Sequence, residues 1–330
     1  MEPLLIAVVV VALAFDYTNG FHDAANAVAT AISTRAVPPN LALFAAAVLN
    51  VLGALVSTNV AATLAKGIVS VGAVTPPVMF GGLVGAIAWN LLTWWWALPS
   101  SSSHCLIGGV SGAVLATSGR SEVLWSGIFE KVLIPTLCAP LIGFAVGIAL
   151  MVAILWIFRR AHPGVLQRRF RRAQLVSASF MAFSHGSNDA QKTMGVITLA
   201  LFSAGAIATT EVPLWVKLAS ALVIGLGTYS GGKRIIRTLG MRLVKLTPVH
   251  GFAAETAASA VLLGTAHFGF PVSTTHVIST SIMGVGATQR LSAVKWGLTR
   301  DILVAWVLTL PAAGLVGGAF ALLSQFAFAK

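Results

Sequence analysis

Residues 19–26 read N-G-F-H-D-A-A-N, and residues 185–192 read H-G-S-N-D-A-Q-K. A second pair accompanies them: P-S-S-S-S-H at 99–104 and P-V-S-T-T-H at 271–276. All four are polar islands, broken by Gly or Pro, in apolar sequence. Their spacing is nearly constant: Asp23 and Asp189 lie 166 residues apart, His104 and His276 172. Trp125/Trp296, Glu130/Asp301 and Pro140/Pro311 repeat at 171. The chain therefore states one pattern twice. Two equivalent halves with matching polar breaks are the sequence mark of membrane folds built from internal repeats, with the site at the repeat interface.

The composition supports a membrane setting. Charged residues are 9% of 330 and hydrophobic residues 57%, against about 25% charged in an average soluble domain. The mean hydropathy is +0.90. Apolar runs at Leu4–Phe15, Leu41–Val56 and Val132–Phe158 approach or exceed the roughly 20 residues that cross a bilayer. The expected fold is all-α and polytopic: a first repeat at 1–158, a basic linker at 159–172 and a second repeat at 173–330. The first run leads straight into N-G-F-H-D with no small-residue cleavage site, which argues against a cleaved signal peptide. Cys105 and Cys138 sit in apolar context and read as free buried thiols.

The net charge of +12 does not point to nucleic acid. Six Arg cluster between Arg159 and Arg172, and Lys233, Arg234, Arg237, Arg242 and Lys245 form a second group without acids. Such clusters flanking apolar spans mark cytoplasmic loops of a cell-membrane protein, with anionic lipid as their natural contact. The loop after the first span carries Arg35 in half one but only Glu211 in half two. The loop after the second carries only Lys66 in half one but five cations in half two. The bias changes sign between halves, as inverted-topology insertion requires. The expected path has the N-terminus outside, Arg35 inside, Lys66 outside and 159–172 cytoplasmic.

Within this frame the polar islands predict discontinuous helices. A half-length helix is expected at Leu4–Asp16, an unwound stretch from Asn19 to Asp23, and a second short helix to Ile32. Unwound backbone is tolerated in a membrane only where protein or a cavity satisfies it. P-S-S-S-S-H is expected at the tip of a hairpin whose second arm, Leu106–Thr117, is too short to span alone.

A helix that starts at a hydroxyl-rich turn offers free N–H groups and a positive dipole end to an anion. Ser101, Ser102 and Ser103, with Ser273, Thr274 and Thr275, add hydroxyl donors suited to a tetrahedral oxyanion. Asp23 and Asp189 would repel such an anion unless a cation came with it. Oxygens of Asn19, Asp23 and Asp189 at a helix break suit Na⁺, and protons would serve the same end. A carboxylate also accepts a hydrogen bond from a protonated phosphate hydroxyl, which sulfate lacks at neutral pH. Glu255, in E-T-A-A-S, reads as a further intramembrane acid tied to coupling. The charge logic predicts a symporter of inorganic phosphate driven by Na⁺ or H⁺, with a sulfate permease as the alternative. An intramembrane Ser-His-Asp hydrolase is disfavoured, because an enzyme needs one asymmetric set of groups and not two copies. No cofactor is expected, and no metal beyond Na⁺ at Asp23 and Asp189.

These motifs, with W-N-L-L-T-W-W at 89–95 and E-T-A-A-S at 255–259, resemble the PiT family of inorganic phosphate transporters. The resemblance runs in order along nearly the whole chain. It implies a homodimeric carrier of two inverted repeats that moves phosphate with Na⁺ or H⁺, in some relatives as a divalent metal–phosphate complex. It also implies that Asp23 and Asp189 are essential and that Asn26 and Asn188 lie at the substrate. Asn50 departs from the pattern, standing where eukaryotic relatives place a Glu. The copies also differ from each other: Asn26 is matched by Lys192, and Glu255 by Leu83.

Overall fold

The computed structural model describes residues 2–328, and within them the chain is helical, with one isolated β-bridge between Val69 and Val123. The first half holds α1 (Pro3–Ser33), α2 (Pro39–Ala54), α3 (Asn59–Gly67), α4 (Pro76–Trp95), α5 (Ser102–Ser118), the short α6 (Trp125–Ile128) and α7 (Ile134–Ile157). The second holds α8 (Pro163–Ser203), α9 (Leu214–Ser230), α10 (Lys233–Arg237), α11 (Pro248–His267), α12 (Thr274–Ala287) and α13 (Trp296–Phe328). Proline opens α1, α2, α4, α8 and α11, where its missing N–H costs nothing. One π-turn, Phe129–Leu133, joins α6 to α7, and the whole stretch Trp125–Ile157 is long and apolar enough to cross a membrane, as are α1, α4 and α13.

Faces are sorted as lipid demands. On α2, Leu41, Phe44, Val48 and Leu52 are exposed, whereas Ala42, Ala46, Asn50 and Gly53 are buried. The large apolar side chains face out and the small or polar ones face the neighbouring helices, the reverse of a water-soluble helix. Cys105 is buried as expected, but Cys138 is exposed on α7; its apolar context reflects an outer face, not a core.

The repeat seen in sequence recurs in the packing. Each half's first helix packs on the other half's second, α1 on α9 and α8 on α2. Each half's hairpin packs on the other half's last helix: α4 and α5 on α13, α11 and α12 on α7. Equivalent details match. Leu124 N–H donates to Ile68 O at 2.9 Å and Lys295 N–H to Leu243 O at 3.1 Å. The Trp125 and Trp296 indoles each bond a carbonyl five residues back. The paired α1 and α8 run antiparallel, since Thr34 meets Gln174 at one end and Asp16 meets Thr193 further along.

The second span of each half bends: α2 and α3 meet at 67°, and α9 and the Lys233–Arg242 segment at 61°. The α4–α5 and α11–α12 pairs are true hairpins. Ser70 bonds Glu122 across the outer ends of the first, while the tips of the two hairpins meet where Ser103 donates to Val272 O at 3.4 Å. The basic stretch 159–172 is a short turn followed by the first turns of α8.

One expectation fails. Neither N-G-F-H-D nor H-G-S-N-D breaks a helix: α1 runs unbroken for 31 residues and α8 for 41. The glycines serve another purpose. A Cβ on Gly20 would lie 2.5 Å from Ile224 O of α9, and one on Gly186 2.1 Å from Asn50 O of α2. They mark where the second span of the opposite half crosses at backbone contact. The helix interruptions occur instead at the bends of those second spans and at the hairpin tips.

Candidate anion and cation site

The hairpin tips begin the site. Ser101 caps α5 by accepting the His104 N–H at 3.2 Å, and Ser273 caps α12 by accepting that of His276 at 3.3 Å. These two hydroxyls are therefore occupied as acceptors in helix capping. The caps leave the N–H groups of Ser102, Ser103, Thr274 and Thr275 with no partner among the described residues. Two helix N-termini, one from each half, thus approach the same buried volume with their positive ends. His104 and His276 back them, with ring centroids 5.0 Å apart, and His276 stacks on Trp306.

The carboxylates complete it. Asp23 on α1 takes His22 Nδ1 at 2.7 Å and Thr275 Oγ1 at 3.3 Å on Oδ1, and Ser102 Oγ at 3.1 Å on Oδ2. Asp189 on α8 takes Thr274 Oγ1 at 2.8 Å and forms an ion pair with Lys192. His185 brings Nε2 within 3.0 Å of Asp189 Oδ2 but out of hydrogen-bond alignment, and its Nδ1 meets Asn50 Oδ1 at 3.1 Å. One ligand atom each from Asp23, His185 and Asp189 lie within 4.8 Å of one another. This donor set, drawn from both halves, suits a small cation.

Asn26 donates to Thr275 Oγ1 at 2.9 Å and Thr274 Oγ1 at 3.2 Å, so the first half's helix binds the second half's hairpin tip. Its Oδ1, both amide atoms of Asn188, and Asn19 Oδ1 are buried without partners among the described residues. Buried unpaired polar atoms are costly; three asparagines in this state around two carboxylates mark a place built to receive a polar guest.

Glu255 lies apart. It sits on α11 and accepts from Thr30 at 2.5 Å, Gln174 at 2.9 Å and Ser177, with no cation partner among the described residues. Lys192, marked in the sequence by its mismatch with Asn26, lies one helical turn from Asp189. One further group was not singled out from sequence. The chain His22–Thr93–Ser100 behind Asp23, with distances of 3.2 and 2.7 Å, was not legible, because Thr93 and Ser100 meet His22 only through the hairpin. An apolar cavity of about 250 Å³ between α1, α2 and α8 is lined by Ala27, Leu41, Ala46 and Ala182 but by none of these polar groups.

Paired helix N-termini, buried carboxylates and unpaired amides inside an all-helical membrane fold suit a polytopic membrane transporter of a small anion. The comparisons agree and give the family. The profile of the Phosphate transporter family matches residues 19–168 and again 160–317. A Mycobacterium bovis protein described as "Probable low-affinity inorganic phosphate transporter" is 51% identical over 320 residues, covering 95% of this chain and 76% of its own. A Bacillus subtilis protein of the same description is 43% identical, covering 95% of each chain. A solved structure, "The sodium-dependent phosphate transporter", superposes with a TM-score of 0.90 at 24% identity, covering 98% of this chain and 99% of that one. The chain belongs to the phosphate transporter family, and it is a transporter and not an enzyme.

Proposed function

We propose that the chain is a secondary symporter of inorganic phosphate, driven by Na⁺ or H⁺, in which alternating access turns about the site between the hairpin tips. The observation that carries this reading is the use to which the hydroxyls are put. Ser102, Thr274 and Thr275 each donate to a carboxylate. A hydroxyl has one proton to give, so while it serves Asp23 or Asp189 it cannot serve an anion. A cation or proton at the carboxylate releases that hydroxyl to the phosphate and cancels the repulsion between them. At Asp23 coupling then needs no long pathway, because Ser102 and Thr275 read both ligands.

Phosphate is favoured over sulfate because Asp23 can accept from a phosphate hydroxyl. The family and the descriptions of the relatives point the same way. The His-carboxylate set would also receive a divalent ion arriving with phosphate. We place the protein in the cell membrane with Arg35 and the 159–172 cluster on the cytoplasmic side, on the charge bias of the loops.

Competition in proteoliposomes tests the substrate. Excess unlabelled phosphate should abolish uptake of labelled phosphate and excess sulfate should leave it intact. Displacement by sulfate and not by phosphate would refute the assignment.

A further inference from the structure

Asn26 and Lys192 hold the same place in the two motifs, three residues after Asp23 and Asp189. The difference changes the site. Lys192 is 1% exposed, its ammonium pairs with Asp189 Oδ1, and it donates to Val272 O at 2.9 Å. A carboxylate and a backbone carbonyl at an interrupted hairpin are ligands that a bound sodium ion would take. In the first half Asp23 has no ammonium beside it among the described residues; its partners are His22, Ser102 and Thr275, and Asn26 turns to the hydroxyls of the opposite tip.

We propose that the Lys192 ammonium is a tethered cation, filling at Asp189 the place that a mobile coupling cation takes at Asp23. The proposal rests on the cation-coupled reading above and makes it asymmetric. A tethered charge cannot leave with the substrate, so it helps hold the anion without contributing to coupling. Of the two carboxylates, only Asp23 then needs an ion from solution. The second half keeps its affinity for anion at low external cation, and the first half alone carries the driving force.

Lys192→Asn gives the second motif the residue of the first, and Lys192→Gln is read beside it in case one variant fails to fold. The purified full chain is measured in two ways: Na⁺ titration of labelled phosphate uptake in proteoliposomes, and the Na⁺-dependent rise of melting temperature in detergent without phosphate. In either variant, uptake at low Na⁺ should fall about tenfold, within the usual range for coupled sites, and recover at high Na⁺ with a steeper dependence than wild type. The melting temperature should respond to Na⁺ more strongly than wild type, and adding Asp189→Asn should remove that gain. A variant whose melting shows the wild-type response to Na⁺ overturns the proposal, whether its uptake is lost or retained, and Lys192 is then a phosphate ligand or a packing group. Where uptake and melting differ, melting decides. Failure of the wild-type protein to take up phosphate would count against the substrate reading, and the melting titration would still decide the role of Lys192.

Discussion

Side chains of the same type do different work at the hairpin tips. Ser101 accepts from the His104 N–H, whereas Ser102 has one proton to give, with Asp23 Oδ2 and Asn90 Oδ1 both at 3.1 Å as acceptors. Ser101→Ala should therefore act mainly on stability, lowering it by about 1 kcal/mol as lost N-caps do. Ser102→Ala should act mainly on phosphate, raising the concentration for half-maximal uptake with little change in melting temperature. Melting curves and uptake titrations of both variants check this; equal effects of both on uptake would contradict the division. The hydroxyl runs were legible in the sequence as helix starts, because Ser and Thr after Pro so often open helices. Which hydroxyl caps and which faces the ligand was not legible, because that depends on where Asp23 and Asn90 arrive from other helices. Glu255 was readable as a buried acid for the same compositional reason. Its separate nest of Thr30, Gln174 and Ser177 depends on three helices meeting and could not be read from one.

At the scale of elements, glycine misleads. In N-G-F-H-D it suggests a break, because glycine weakens a helix by about 1 kcal/mol. The same missing Cβ permits backbone contact, and that is its role at Gly20 and Gly186. No signal in the motif chooses between the two, since the choice lies in α9 and α2, more than a hundred residues away. The equivalence of the copies gives a symmetric prediction. Gly20→Ala and Gly186→Ala should each destabilise the protein by about 1–3 kcal/mol, the cost of overpacking, because the opposing atoms are backbone and cannot turn aside. Thermal melting in detergent checks it, and variants as stable as wild type would show that the α1–α9 and α8–α2 crossings are looser than the structure has them. By contrast, the P-S-S-S-S-H and P-V-S-T-T-H tips were legible as hairpin turns, since Pro, clustered hydroxyls and a short second arm leave little else.

The whole molecule is two copies of one unit that exchange partners. Each hairpin leans on the other half's last helix, and each motif helix on the other half's second span. Neither half can bury its polar motif alone, so the site exists only between them. Repetition in the sequence pointed to two like halves, and α1 and α8, which carry the two motifs, run antiparallel in the structure. The mismatches, Asn26 against Lys192 and Leu83 against Glu255, were visible as well, but the consequence of the first appeared only with the ion pair at Asp189. In the proposed mechanism the anion is held only when both carboxylates carry a cation, Asp189 its own Lys192 and Asp23 an ion from solution. Uptake of labelled phosphate into proteoliposomes under Na⁺ and pH gradients imposed separately tests it, with Asp23→Asn in parallel. Accumulation above equilibrium is expected under at least one gradient, with loss of that accumulation in Asp23→Asn. Uptake that never exceeds equilibrium under either gradient, or full gradient-driven uptake by Asp23→Asn, would contradict it.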